Sequence, residues 1–192
     1  LYVFHADGTL ASGFPMIDEE ILASPSVGDL NSDSSLEIVI ITKNGQIYAI
    51  YGNGTILNGW PKDVDTDLFP HQTEWDLNEE EISYSPILVD VDNDDFLDIV
   101  VRGHYYIDDY LLAFDMNGHQ IDGWMLGNEG QTITSTPAII DLDDDGLLEV
   151  VLAADNLYVW ELEQPITTTV NWPEFRKDKE NSGLISTTNK IK

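Results

Sequence analysis

The chain has 192 residues, 36 acidic and 8 basic side chains, a formal net charge of −28 and no cysteine. A surface this acidic repels nucleic acid and anionic membranes, and without cysteine no thiolate is available to a metal. No signal peptide and no membrane-spanning run is visible in the residues, and the missing cysteines leave the redox compartment open.

In chain order, Leu1–His5 reads as a strand, Asp7-Gly8 as a tight turn, and Thr9–Pro15 as the strand returning from it. A longer unit then begins and recurs three times. Its first copy is Ser24-Pro25, an apolar strand, the acidic loop from Asp29 to Glu37, and a second strand over Glu37–Ile41. Its third strand is Ile47–Tyr51, followed by Asn53-Gly54 and a fourth strand ending near Trp60. The second copy runs from Ser85-Pro86 through the loop Asp90 to Asp98, strands Asp98–Val101 and Leu111–Asp115, and the turn Asn117-Gly118 to Trp124. The third runs from Thr136-Pro137 through the loop Asp141 to Glu149 and strands Glu149–Ala153 and Leu157–Glu161 to Trp172. The loops recur at intervals of about 60 and about 50 residues, the range of propellers and repeat arrays. The second strands are continuous apolar runs, which demand burial on both faces. The aromatic closing each fourth strand (Phe14, Trp60, Trp124, Trp172) holds one repeat position, as a residue packing between units would.

Counting the first Asp of each loop as position 1, positions 1, 3, 5 and 9 are Asp29, Asn31, Asp33 and Glu37; Asp90, Asp92, Asp94 and Asp98; and Asp141, Asp143, Asp145 and Glu149. Alternate side chains of a tight loop converge on one point. A hard divalent cation takes six to eight oxygens from carboxylates, water and a backbone carbonyl. Position 7 (Ser35, Phe96, Leu147) is the expected carbonyl donor. A flexible carboxylate cage suits calcium better than magnesium, and a set without Cys or His makes zinc and copper poor candidates. An EF-hand needs a Glu at position 12 and flanking helices. Position 12 here is Ile40, Val101 or Leu152 within an apolar run, which rejects both the EF-hand and the dockerin-type module. Position 6 needs a sharp turn, supplied by Gly146 in the third loop, Asp95 in the second and Ser34 in the first. With Ser34 there and Asn31 removing one charge, the first loop is expected to be the weakest site. The alternative reading is three solvated acidic turns.

With these motifs in place, the chain resembles the FG-GAP/VCBS-type repeats of integrin-α-like β-propellers, whose blades carry an Asp-x-Asp-x-Asp-Gly-x-x-Asp/Glu calcium loop between their first and second strands. The resemblance implies an all-β fold of four-stranded antiparallel blades and about three calcium ions. It places a propeller segment over residues 1–183, with a half blade at 1–16, blades at about 22–61, 83–125 and 134–176, and a linker or tail at 184–192. The Phe-Gly and Gly-Ala-Pro signatures of integrin blades are absent, with Ser24-Pro25, Ser85-Pro86 and Thr136-Pro137 nearest to them, which favours a secreted microbial branch. The run from Asn171 to Gly183 resembles the segment that ends such microbial propellers. Two strands plus three blades do not close a ring of four to eight blades. The expectation is therefore part of a larger protein, a four-bladed ring completed by the tail, or blades supplied by another copy. Open blade edges would permit self-association. Millimolar extracellular calcium fills modest sites that cytosolic calcium does not, so an extracellular or cell-surface location is expected.

Two enlarged connections flank the middle repeat at the end opposite the acidic loops: the stretch after Trp60, and Arg102 to Tyr110. They carry Phe69, His71, Trp75, Glu79, Glu80 and Glu81, and His104, Tyr105, Tyr106, Asp108, Asp109 and Tyr110. Aromatics on enlarged loops of a rigid scaffold anchor proteins or stack on sugars, so Phe69, His71, Trp75, His104, Tyr105, Tyr106 and Tyr110 are the candidate partner-binding residues. The alternative is an insertion packing on itself. No Gly-x-Ser-x-Gly or His-Glu-x-x-His occurs, and His5, His71, His104 and His119 are scattered. The reading is a non-catalytic calcium-binding module for adhesion, protein contact or glycan contact. The alternatives are the propeller of a secreted polysaccharide lyase or peptidase, and the subunit of a surface fibre. Asn53-Gly54-Thr55 matches a glycosylation sequon but reads first as the hairpin turn.

Overall fold

The computed structural model describes residues 1–21, 23–63, 84–105, 108–128, 133, 135–154 and 156–165. These residues are all-β with no helix, and their sheets are antiparallel. The first sheet is β1 (Ser26–Gly28), β2 (Glu37–Ile41), β3 (Gln46–Tyr51) and β4 (Lys62–Asp63). The second is β5 (Ile87–Val89), β6 (Asp98–Tyr105), β7 (Asp108–Phe114) and β8 (Gln120–Asn128). The third is β9 (Ala138–Ile140), β10 (Leu147–Ala153) and β11 (Leu157–Pro165). Each is a meander with neighbours in chain order. The register repeats: Ser26 pairs with Val39, Ile87 with Val100 and Ala138 with Val151.

The continuous apolar runs are explained by where alternate side chains go. Ile38 and Ile40 of β2 pack on the N-terminal segment with Ala11 and Phe14, while Val39 and Ile41 pack on the second sheet with Leu88, Ile99 and Phe114. In β6, Ile99 and Val101 face back to the first sheet, whereas Val100 faces the third, beside Val150 and Leu152 of β10. The first and second sheets therefore each have one face toward the preceding unit and one toward the following unit. Burying a side chain of this size contributes about 1.5–3 kcal/mol, and in these strands both faces contribute.

Between sheets, β1 lies against β5 and β5 against β9. The Ser26 hydroxyl donates to the Pro86 carbonyl, and the Ser85 amide donates to Thr136 Oγ1 at 3.2 Å. Gly28 permits that approach: a Cβ there would fall 2.9 Å from a methyl of Leu97 and 3.0 Å from one of Leu88. Farther out, the turns that carry Phe14 and Trp60 seat on the Asn-Gly turn of the next sheet. Gly59 has φ +90°, and a Cβ on it would fall 2.0 Å from the Asn117 carbonyl oxygen. Trp60 Nε1 donates to the Met116 carbonyl at 2.9 Å, and its ring meets Phe114 edge-on at 6.1 Å. Phe14, Trp60 and Trp124 are all buried, each on the face toward the following sheet, which is the packing role the repeat position predicts.

The structure differs from the sequence expectation in two places. The stretch from Arg102 to Tyr110 is expected to be an enlarged connection; instead, β6 and β7 extend through it, pairing as far as Tyr105 with Asp108. Aromatic residues suit an extended strand. In the extension, Arg102 also reaches across to Asp109, with Nη2 2.7 Å from Oδ2 and both side chains buried. The fourth strands also do not end at the aromatic: β4 follows Trp60, and β8 runs through Trp124. At the N-terminus, where two strands are expected, a single antiparallel bridge joins Phe4 to Leu10, as one joins Ile50 to Ile56. The third sheet has three strands among the described residues; its expected fourth strand near Trp172, the run to Gly183 and the tail 184–192 lie outside them.

Candidate metal centre

Each acidic loop joins the first and second strands of its sheet, and the three loops repeat one hydrogen-bond pattern. The position 1 carboxylate accepts the amides of positions 5 and 6. Asp29 takes Asp33 and Ser34 at 3.0 and 2.8 Å; Asp90 takes Asp94 and Asp95 at 3.2 and 3.0 Å; Asp141 takes Asp145 and Gly146, both at 3.1 Å. The position 5 carboxylate accepts the amide of position 7: Ser35 on Asp33, Phe96 on Asp94 and Leu147 on Asp145, at 2.7, 2.9 and 2.8 Å. The position 9 carboxylate, on the second strand, reaches back to the amide of position 2. Glu37 accepts Leu30 at 2.9 Å, Asp98 accepts Val91 at 2.8 Å and Glu149 accepts Leu142 at 2.6 Å.

The backbone makes this possible by turning left-handed twice. Position 6 has positive φ in all three loops (Ser34 69°, Asp95 71°, Gly146 91°), as the sequence predicts. Position 4 does so too (Ser32 56°, Asn93 65°, Asp144 61°), which the sequence reading missed. Asn and Asp tolerate that geometry better than most residues, so two of the three loops carried the signal.

The result is a concentration of carboxylates facing one another. Asp90, Asp92 and Asp94 each place a carboxylate oxygen within 4.8 Å of the others, and so do Asp141, Asp143 and Glu149. A divalent ion bonded at about 2.3–2.6 Å spans oxygens that far apart, so each cluster can hold a metal ion. In the first loop Asn31 replaces an acid, and its Oδ1 accepts the Asp33 amide at 3.0 Å. Asp29, Asn31, Asp33, Ser35 and Glu37 are thus brought into the same hydrogen-bonded loop as their counterparts, with fewer charges.

Electrostatics single out the second strands. Burial pushes the Glu37 carboxyl up to about 7 against the bond from Leu30, with Asp33 and Asp29 adding repulsion. Burial, then the charges of Asp92, Asp94 and Asp90, pushes Asp98 up to about 8 against the bond from Val91. Asp92 is also raised, by burial and by Asp94 and Asp90. Asp33 is lowered by the bond from Ser35. Glu37 and Glu149 each use Oε2 for the position 2 amide, and each leaves Oε1 buried with no hydrogen-bond partner among the described residues. A buried carboxylate oxygen without a donor is costly, and a cation is the partner that its setting among other carboxylates suits. The donor set is all oxygen, which fits a hard cation.

Among the candidate partner-binding residues, Phe69, His71, Trp75 and Tyr106 lie outside the described residues. His104 and Tyr105 are on β6, near its end. Tyr110 on β7 is half-buried against the core between the first two sheets and close to Gly127. The sequence reading named Asp109 but not its pairing with Arg102. Arg102 also lies over the Tyr84 ring at 4.7 Å, and Asp109 accepts the Ile133 amide. No protein-family model matches the chain, and no curated protein matches it.

Proposed function

We propose that the chain is a non-catalytic, calcium-binding β-propeller segment of the FG-GAP/VCBS type, acting outside the cell in adhesion or in contact with a protein or glycan. In this reading each sheet is a blade, β1, β5 and β9 are the inner strands, and calcium is structural. The observation that carries it is the buried Oε1 of Glu37 and of Glu149, without a hydrogen-bond partner among the described residues, within loops of one hydrogen-bond pattern. Positions 1, 3, 5 and 9 supply the side-chain ligands, and position 7 supplies the carbonyl. The ion offsets the repulsion among the carboxylates and so favours the folded loop over the open one. Contact with a partner falls to the end opposite the loops, at the far end of β6 and β7.

Calorimetric titration of chelator-stripped protein with calcium tests the reading. Three sites are expected, with magnesium a poor competitor. No heat and no uptake at millimolar calcium contradicts it. Loss of partner binding in Trp75→Ala and Tyr106→Ala, at unchanged calcium affinity, would support recognition on the opposite end. Unchanged binding would remove that part.

A further inference from the structure

In an Asn-Gly pair the backbone amide after the asparagine can attack that side chain with little hindrance, because glycine puts no Cβ in its path. The chain has four such pairs: Asn44-Gly45, Asn53-Gly54, Asn58-Gly59 and Asn117-Gly118. All four asparagines are exposed, and all four glycines have positive φ. Sequence and exposure of the asparagine therefore do not separate them, but the hydrogen bonds do.

In three pairs the glycine is the last residue of its turn and its amide closes the turn. Gly45 donates to the Thr42 carbonyl at 3.0 Å, Gly54 to Tyr51 at 2.8 Å and Gly118 to Asp115 at 2.9 Å. Two of these asparagines are tethered as well: Asn53 Oδ1 accepts the Thr55 amide at 2.9 Å, and Asn117 Nδ2 donates to Asp115 Oδ2 at 3.5 Å. Gly59 stands one place earlier in its turn, which is closed by the Trp60 amide on the Leu57 carbonyl at 3.2 Å. A turn with a positive-φ glycine in third place leaves that glycine's amide outside the closing bond. Gly59 is exposed, and its amide makes no hydrogen bond among the described residues.

We infer that Asn58 is a site of self-modification, at which the Gly59 amide nitrogen closes on the Asn58 side chain. The nitrogen bonds to Cγ and gives up its proton, the Cγ–Nδ2 bond breaks, and Nδ2 leaves with that proton as ammonia. Water then opens the cyclic imide. Attack at Cγ leaves aspartate, and attack at the main-chain carbonyl leaves isoaspartate, whose backbone runs through Cβ and Cγ. The net change is amide plus water to acid plus ammonia, with no oxidation or reduction. Its place gives the change a consequence. A Cβ on Gly59 would fall 2.0 Å from the Asn117 carbonyl oxygen, and Trp60 beyond it is buried with Nε1 2.9 Å from the Met116 carbonyl. Isoaspartate at position 58 lengthens the backbone directly before that contact and adds a negative charge to a chain already at −28. The joint between the first and second sheets loosens with it. This inference stands independently of which metal the loops hold and of any partner.

Peptide mass spectrometry on folded protein aged in mildly alkaline buffer tests it, with denatured protein aged beside it. In denaturant the four pairs are expected to convert at similar rates. In the folded chain Asn58 is expected to convert about tenfold faster than Asn44, Asn53 or Asn117, because each of those must first release a bonded amide. The aged wild type is expected to melt lower than the fresh protein. Asn58→Ser, which copies Ser12 of the equivalent turn closed by Phe14 on Ala11, is expected to keep its melting temperature on ageing. Asn58 staying intact while another of the folded pairs converts overturns the inference, as do equal rates at all four. So does a folded chain that keeps every pair while the denatured chain converts. Conversion at Asn58 with no fall in melting temperature overturns the loosening of the joint.

Discussion

Glu149 accepts the Leu142 amide through Oε2 at 2.6 Å and holds its other oxygen buried without a hydrogen-bond partner among the described residues; Glu37 and Leu30 repeat the relationship at 2.9 Å. The same side chain thus closes the loop and offers an oxygen to it. Glu149→Gln separates the two roles, because an amide oxygen still accepts the Leu142 N–H but brings no charge. Calcium affinity at the third loop is expected to fall at least tenfold, about 1.4 kcal/mol, while the calcium-free melting temperature stays level or rises. Calorimetry and thermal melts on the variant check both.

The loops are expected to differ in strength for a readable reason. The first has Asn31 where the others have Asp92 and Asp143, and Ser34 where the third has Gly146. The acidic clusters within 4.8 Å are those of the second and third loops. Asp141→Ala is expected to remove more calcium-binding free energy than Asp29→Ala, measured by titration of each. The reverse order would contradict the ranking.

Without metal, stability should fall as pH rises. Glu37 and Asp98 have folded values raised to about 7 and about 8, from ordinary values of 4.5 and 3.8. Between those limits the folded state holds protons that the unfolded state has lost. The stabilisation is therefore complete below about pH 4 and disappears as pH passes 7 to 8. Chelated protein should melt higher at pH 5 than at pH 8. With excess calcium the order should reverse, since the ion binds the deprotonated ligands. Melting temperatures across that range, with and without chelator, check the sign.

Arg102 and Asp109 form a buried pair inside the extended β6–β7 hairpin, and Asp109 also holds the Ile133 amide. Removing one partner strands the other charge, a loss of about 3–5 kcal/mol. Asp109→Ala should show a loss of that order by chemical denaturation. Arg102→Met combined with Asp109→Leu should recover part of it, because both charges leave together.

The repeating parts were legible in the sequence because they are local. Asp29, Asp90 and Asp141 announce loops whose hydrogen bonds close within nine residues, and the runs at Ile38–Ile41 and Ile99–Val101 announce strands buried on both faces. The turns Asn53-Gly54 and Asn117-Gly118 could be placed, but not their seating against Gly13 and Gly59, which depends on the next sheet. The β6–β7 extension was missed because charged and polar residues there look like a loop until Arg102 finds Asp109. Position 4 was missed because Ser32 gives no hint of left-handed backbone, although Asn93 and Asp144 do.

The most direct test of the central claim is the melting temperature of the chain in millimolar calcium and again in excess chelator. If the loops are structural calcium sites, linkage gives about 2.7 kcal/mol per site at one-hundred-fold excess over Kd, and three sites should raise the melting point by many degrees. An identical melting temperature in both conditions would contradict a structural role for calcium and leave the loops as hydrogen-bonded acidic turns.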